Sequence, residues 1–286
     1  MTTAMLLAYH GDPSLKQRVL SQLRAHREAD ELVHGRYWSN GKGCAVGCLT
    51  HDPSGGHSTY PDRWGIPVEL AYLEDAIFEG QPLDEAQEWP ARFMSAIRVG
   101  SDLSLVWPRF AELTLREDLL AIPAVRENAS VATAIRQVAD LYGREITGDR
   151  PTRAEWAAAE AEAEAEAWAA ERAAVSGRAA EMVAEKEAAL AAAQAARAAQ
   201  AAGAAGTAAQ AARTAAQAAW VAEKAARAAE KEAAQAAGAA LARVAGTRAG
   251  AGEAALAPAP ARAGTYRRMA DRLVVLLKAA TPMQAG

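Results

Sequence analysis

Apolar residues recur every three to four positions along the first part of the chain, which is the spacing of amphipathic α-helices. Leu15, Val19 and Leu23 mark one such face. This apolar face comes directly after Asp12-Pro13, a pair that favours a helix start because Asp can cap a helix and Pro suits its first turn. The same reasoning predicts further helices over residues 28–33, 67–78, 84–97, 103–115 and 130–141.

Two prolines modify this pattern. Pro90 and Pro108 lie inside predicted helices, and each indicates a kink or a later helix start. No run of alternating β-branched residues indicates a sheet, with short strand pieces near Leu6 or Val99 as the alternative. The first 150 residues are therefore predicted to form a compact all-α domain.

A different pattern begins after Pro151. About half of residues 154–249 are alanine, and Thr152 with Glu155 has the spacing of a capping box at a helix start. One straight helix over this length would extend about 140 Å. We therefore predict two or more antiparallel helices, with a break near Gly203–Gly206.

The chain divides into four segments. We predict a helical domain over 1–150, an alanine-rich helical hairpin or bundle over 151–248, a linker over 249–264 and a C-terminal helix over 265–286. We expect the last helix to dock on the bundle or on a second copy of the chain, because an alanine-rich bundle has little core of its own. Its apolar stripe consists of Met269, Leu273, Leu276 and Leu277.

Composition narrows the class of protein. The chain has 286 residues, a formal net charge of −4 and two cysteines. Two cysteines cannot form a disulfide framework, and a mildly acidic chain without a basic face argues against nucleic-acid binding. The apolar runs are too short for a membrane span or for a signal peptide at the start. We therefore expect a cytoplasmic protein that binds neither nucleic acid nor membrane.

The most distinctive candidate chemistry lies just before residue 60. Asn40-Gly41 predicts a turn, and a short helix is predicted to follow from about residue 44. That helix carries two cysteines and a histidine on one face, and a second histidine follows a flexible loop. Zinc binds thiolates and imidazoles in a tetrahedron. The candidate zinc ligands are Cys44, Cys48, His51 and His57.

Other interpretations of the two cysteines stay open. Both thiols can be core residues, since free Cys is among the most buried residue types. Alternatively, Cys44 is a reactive thiol, because the first turn of a helix and the cation of Lys42 both lower a thiol pKa. A reversible disulfide between Cys44 and Cys48 fits less well, because residues four apart on a helix suit that bond poorly.

The remaining charged and aromatic residues are expected to be structural. Glu74, Asp75 and Glu79 form an acidic patch on a predicted helix, and such patches are usually solvated. Tryptophans are expected to anchor packing, in the first domain at Trp38, Trp64, Trp89 and Trp107 and in the alanine-rich part at Trp156, Trp168 and Trp220.

Four motifs carry a resemblance to a known family: WSNGKGCAVGC at 38–48, GIP at 65–67, LEDAIFEG at 73–80 and LSLVWP at 103–108. They resemble an uncharacterised bacterial and phage-associated protein family. Members of that family also carry an alanine-rich helical stretch and a C-terminal segment similar to residues 266–273. The resemblance covers most of residues 1–115 and about the last twenty, and it implies no catalytic role.

Two classes of function follow from the sequence. The leading hypothesis is a non-enzymatic protein-interaction or scaffolding protein, whose alanine-rich helices contact a protein partner or a second copy of the chain. The alternative is a thiol- or zinc-dependent activity centred on Cys44, Cys48, His51 and His57. Whether the protein is an enzyme stays open at this point.

Overall fold

The described residues form a helical structure with one small sheet. The structure is a computed structural model that describes residues 6–54, 56–176, 193 and 260–282. An antiparallel hairpin joins β1 (Trp38–Ser39) to β2 (Lys42–Gly43). Ten α-helices confirm the all-α prediction: α1 (Pro13–Glu28), α2 (Ala45–Thr50), α3 (Tyr60–Trp64), α4 (Val68–Gly80), α5 (Leu83–Ala96), α6 (Val106–Leu113), α7 (Pro123–Glu127), α8 (Ala129–Ile146), α9 (Arg153–Ser176) and α10 (Pro260–Ala279).

Two helix starts form as their sequence signals predict. Asp12 caps α1 by accepting a hydrogen bond from the Ser14 N–H at 2.7 Å, and Pro13 occupies the first turn. At α9 the Thr152 hydroxyl accepts from the Glu155 N–H at 3.3 Å, while the Glu155 carboxylate accepts from the Thr152 N–H at 2.7 Å. This reciprocal pair is a capping box.

Other predicted boundaries differ from the structure. The helix predicted over 28–33 is wrong, because the chain after α1 pairs with β2 instead: Val33 N donates to Gly43 O at 2.9 Å, and Gly43 N donates to Glu31 O at 2.9 Å. The helix α5 runs unbroken through Pro90. Pro108 is the third residue of α6, where its missing N–H needs no helical partner.

The helices pack in two adjoining groups. In the first, α1 and α4 lie against α5, around fully buried Trp89 and Phe93; in the second, α8 lies between α6 and α9. Trp156 of α9 meets Tyr142 edge to face at 4.9 Å and is an anchor, as predicted. The anchoring role predicted for Trp168 is wrong, since that residue is 63% exposed.

The C-terminal helix docks on the first domain. It begins at Pro260, inside the segment predicted as a linker, and packs against α4, α5 and α6. This place differs from the predicted docking on the bundle or on a second copy. Helices α4 and α10 come so close at Gly80 of α4 that a Cβ added there would lie 2.2 Å from the ring of Tyr266 in α10. The predicted stripe is buried at Met269, Leu273 and Leu277, and Leu276 is partly buried against the core.

Several predictions concern other parts of the chain. The antiparallel bundle, its break near Gly203–Gly206, the anchor Trp220 and the linker up to residue 259 lie outside the described residues. Within the described ranges, none of the helices combines the length and the apolar character that crossing a bilayer requires.

Candidate metal centre

The β1–β2 hairpin positions Cys44 at the start of α2. The turn predicted at Asn40-Gly41 is present, with φ of 54° and 78° at these two residues. Two successive positive φ values are typical of a type I′ hairpin turn, which Asn-Gly favours. Cys44 follows directly after β2 and caps α2, its sulfur accepting from the Gly47 N–H at 3.5 Å.

Two glycines let the preceding backbone cross the first turn of α2. A Cβ added at Gly47 would lie 1.4 Å from the carbonyl oxygen of Tyr37, and one added at Gly43 would lie 1.9 Å from the same atom. Neither position can therefore hold a side chain without moving the backbone. The contact encloses Cys44, which is 1% exposed.

Cys44 faces two carboxylates of α4. The sulfur of Cys44 and carboxylate oxygens of Asp75 and Glu79 all lie within 4.8 Å of one another. Asp75 and Glu79 are four residues apart on α4, so their side chains project from the same face. Among the described residues these three form the one group of this kind.

Each carboxylate is held by a group outside the cluster. His57, which is 3% exposed, contacts Asp75 Oδ2 through Nε2 at 3.0 Å and stacks on Tyr72 with ring centroids 4.1 Å apart. The backbone N–H of Gly35 donates to both Glu79 oxygens, at 2.9 and 3.0 Å. The second oxygen of Asp75, Oδ1, is buried and has no hydrogen-bond partner in the described part of the chain.

The cluster concentrates negative charge. Burial, reinforced by the Asp75 carboxylate, raises the pKa of the Cys44 thiol well above its ordinary value. Burial and Asp75 also raise the pKa of Glu79, against the opposing effect of the Gly35 N–H. Among the ion pairs of the described residues, only His57 places a basic group on these acids. The site therefore favours a bound cation or protonated acids.

A buried carboxyl lies next to this cluster in the sequence of α4. Glu74 is fully buried and accepts a hydrogen bond from the Tyr60 hydroxyl at 2.6 Å, and its second oxygen has no hydrogen-bond partner among the residues that the structure describes. Burial, reinforced by the charge of Asp75, raises the pKa of Glu74 to about 8. Its carboxyl is therefore mainly protonated at neutral pH, and the prediction of a solvated patch is wrong at this position.

The predicted zinc ligands do not surround one point. The Cys48 thiol contacts the Gly43 carbonyl oxygen at 3.5 Å, and burial raises its pKa to about 12. His51 ends α2 in the left-handed region, with φ of 55°, so its side chain leaves the face that carries the cysteines. Its Nε2 instead lies 3.1 Å from that of His26. Only Cys44 and His57 of the predicted set meet, through Asp75.

The structure also opposes a reactive Cys44. The expected cation is directed elsewhere, since Lys42 Nζ donates to the Asp30 carbonyl at 3.0 Å. Burial and Asp75 raise the thiol pKa, whereas a nucleophile requires it lowered. Both cysteines are free and buried, as the core interpretation expects.

Asp75 and Glu79 were recognised in the sequence as part of an acidic patch, but their role as partners of Cys44 was missed. They lie four residues apart on α4, which also carries Glu69 and Glu74, and this spacing places both on one face, which the fold half buries. Comparison with known protein families, with curated proteins and with solved structures gives no match for this chain. The geometry of the cluster is therefore the basis for assigning a function.

Proposed function

We propose that the protein binds a divalent metal ion, zinc being the best match, through Cys44, Asp75 and Glu79. The observation that carries this proposal is the convergence of one thiol and two carboxylates within 4.8 Å, to which none of the Lys or Arg residues that the structure describes forms an ion pair. His57 then acts as an outer partner that orients Asp75, as hydrogen bonds to metal-binding carboxylates commonly do.

The distances suit one zinc ion after a small contraction. Zinc lies about 2.3 Å from thiolate sulfur and about 2.1 Å from carboxylate oxygen, so tetrahedral ligands lie within about 3.6 Å of one another. The present cluster, within 4.8 Å, has to close by at most about 1.2 Å. Asp75 Oδ1 has lone pairs free for this purpose, because the contact with His57 uses Oδ2.

The raised pKa values of the cluster fit a resident cation. A metal ion replaces the proton that burial otherwise keeps on Cys44, and its charge offsets the repulsion from Asp75 that contributes to the raised pKa of Glu79. Binding therefore releases protons, and affinity rises with pH. Three protein ligands leave a fourth position on zinc for water or an exchangeable ligand, as in catalytic zinc sites. A zinc-dependent activity at this site is therefore part of the proposal.

Metal content tests this function directly. The protein is purified without a metal-affinity step, and zinc is counted together with native thiols. We expect about one zinc per chain in the wild type and in Cys48→Ser, and none in Cys44→Ser or Asp75→Asn. Cobalt substitution should give a thiolate-to-cobalt charge-transfer band that depends on Cys44. The assignment would be contradicted if the wild type held no metal after dialysis against zinc. It would also be contradicted if Cys48→Ser lost as much zinc as Cys44→Ser.

A second candidate function is supported by one observation on α9. Trp168, 63% exposed, is a large apolar side chain at the start of the alanine-rich segment, and exposed aromatic residues are enriched at protein interfaces. We propose that residues 151–248 associate with a second copy of the chain, as a scaffold does. Sedimentation of wild type and Trp168→Ala, with Trp168→Phe as control, should give dimers lost only in the alanine variant. A monomeric wild type would point to another protein partner or to none.

We further propose a cytoplasmic location for the protein. Its two cysteines are unpaired, and thiols persist in the reducing environment of the cytoplasm. Fractionation of cells that express the full chain should recover it with cytoplasmic markers.

A further inference from the structure

Two histidines, one from α1 and one at the end of α2, meet next to Trp38 of β1. His26 lies in the last turn of α1 and His51 ends α2, and their Nε2 atoms are 3.1 Å apart. Trp38 stacks on His51 with ring centroids at 4.3 Å and meets His26 edge to face at 5.5 Å. The aromatic ring thus holds both imidazoles in place.

A carboxylate fixes one of the two rings. Glu31 Oε2 lies 2.6 Å from His26 Nδ1, so this nitrogen carries the proton and donates it to the carboxylate. The neutral His26 ring then has its lone pair on Nε2, directed at His51. Metal-binding histidines usually have this carboxylate on the far nitrogen, where it sets the tautomer and increases the basicity of the ligand.

The separation of the two nitrogens matches a single metal ion. Two imidazole nitrogens at 3.1 Å can meet only if one carries a proton between them. With metal–nitrogen bonds of about 2.05 Å, the same separation gives a nitrogen–metal–nitrogen angle of about 98°. This value lies between the octahedral and tetrahedral angles, so one cation can take the place of the shared proton.

We propose that His26 and His51 form a second metal site, which binds a divalent transition-metal ion that prefers imidazole, such as Ni²⁺. Solvent supplies the remaining ligands, since His51 is exposed. The site shares no residue with the Cys44 cluster. The amide nitrogen of Gln22 lies 3.5 Å from His51 Nε2 and donates to the carbonyls of Cys48 and Leu49, at 2.7 and 3.2 Å.

The surrounding charges define how tightly the ion is held. Glu31 adds one negative charge behind His26, while Arg63 bears on His51 from α3 and donates to the Thr50 carbonyl at 3.4 Å. Burial, His26 and Arg63 lower the pKa of His51, which keeps its nitrogen available near neutral pH. Because only two protein ligands reach the ion, its affinity is expected to be well below that of a closed structural zinc site.

Nickel titration of the full-length, tag-free chain by calorimetry tests this site. When the Cys44 cluster is first loaded with zinc, we expect one Ni²⁺ to bind the wild type, and the affinity for Ni²⁺ to fall at least tenfold in His26→Gln and in His51→Gln. His10→Gln is the matched control, since His10 is exposed and contacts only the Asp62 carbonyl. Glu31→Gln should weaken binding about tenfold without changing the urea midpoint, as loss of an outer partner of a metal ligand does.

The two metal sites are distinguishable in the same variants. Cys44→Ser should keep the nickel site, and His26→Gln should keep the thiolate-to-cobalt band, so either proposal can fail alone. Unchanged nickel affinity in both histidine variants, or an equal loss in His10→Gln, would overturn the inference. Circular dichroism of each variant establishes that its fold is retained before binding is compared.

Discussion

The buried carboxyl of Glu74 should make stability depend on pH in an unusual direction. Its pKa is about 8 in the folded protein because burial, reinforced by Asp75, disfavours the charged form. In the unfolded chain the value returns to 4.5. Between these two pH values the folded protein holds a proton that the unfolded chain has lost, so stability falls as pH rises through this window.

The size of the effect follows from the two pKa values. At about 1.4 kcal/mol per pH unit, the change from 4.5 to about 8 corresponds to about 5 kcal/mol of stability lost across the window. Glu74→Gln stays neutral at every pH and can still accept the Tyr60 hydrogen bond. Its added N–H₂ group faces a buried position without a partner, which costs about 1–3 kcal/mol at all pH values.

Urea unfolding from pH 5 to pH 9 measures this difference. We expect wild type to be the more stable protein near pH 5 and Glu74→Gln to be the more stable above neutral pH. Taking the difference between the free energies of unfolding of the two proteins removes the contribution of the other titrating groups, which both proteins share. Glu28→Gln, which removes an exposed carboxyl at the end of α1, is the control. Parallel profiles of wild type and Glu74→Gln between pH 5 and pH 8 would refute the reasoning.

Three further predictions concern the packing that surrounds the site. Gly47→Ala should lower the melting temperature and expose Cys44 to thiol reagents, because its Cβ would lie 1.4 Å from the Tyr37 carbonyl oxygen; a wild-type melting curve would contradict this. Gly80→Ala should make α10 accessible to proteases, because the added carbon would lie 2.2 Å from the Tyr266 ring. Gly143→Ala should not, because its added carbon meets the ends of two flexible side chains, those of Glu112 at 3.2 Å and Arg116 at 3.9 Å. Both native thiols should react slowly with a thiol reagent at pH 8 and rapidly in urea, because burial raises both thiol pKa values; fast labelling of the native protein would argue against it.

The sequence predicted those features of the fold that depend on neighbouring residues. Asp12-Pro13 and Thr152 with Glu155 mark helix starts through contacts made within four residues, so both are confirmed. The helix predicted over 28–33 is wrong because that stretch pairs with β2, which lies ten to twelve residues further along the chain. The spacing of apolar residues within a short segment carries no information about a partner strand elsewhere in the chain.

The candidate site was predictable only in part for the same reason. Cys44 is identifiable from its own segment, but its partners Asp75 and Glu79 come from a helix about thirty residues later. His26 carries no local signal, and its meeting with His51 depends on how α1 packs against α2. The left-handed backbone at His51 also reverses the face that a continuous helix would give it.

Because α10 packs on α4, α5 and α6, the first domain can complete its packing only after residues 260–279 have been synthesised. The groove that α10 fills, between α4, α5 and α6, is complete long before residues 260–280 leave the ribosome. After Leu113 ends α6, 146 residues precede Pro260, and their synthesis takes about 7–29 s at about 5–20 residues per second. During that interval the nascent first domain exposes the apolar surface of α4, α5 and α6 that α10 later covers.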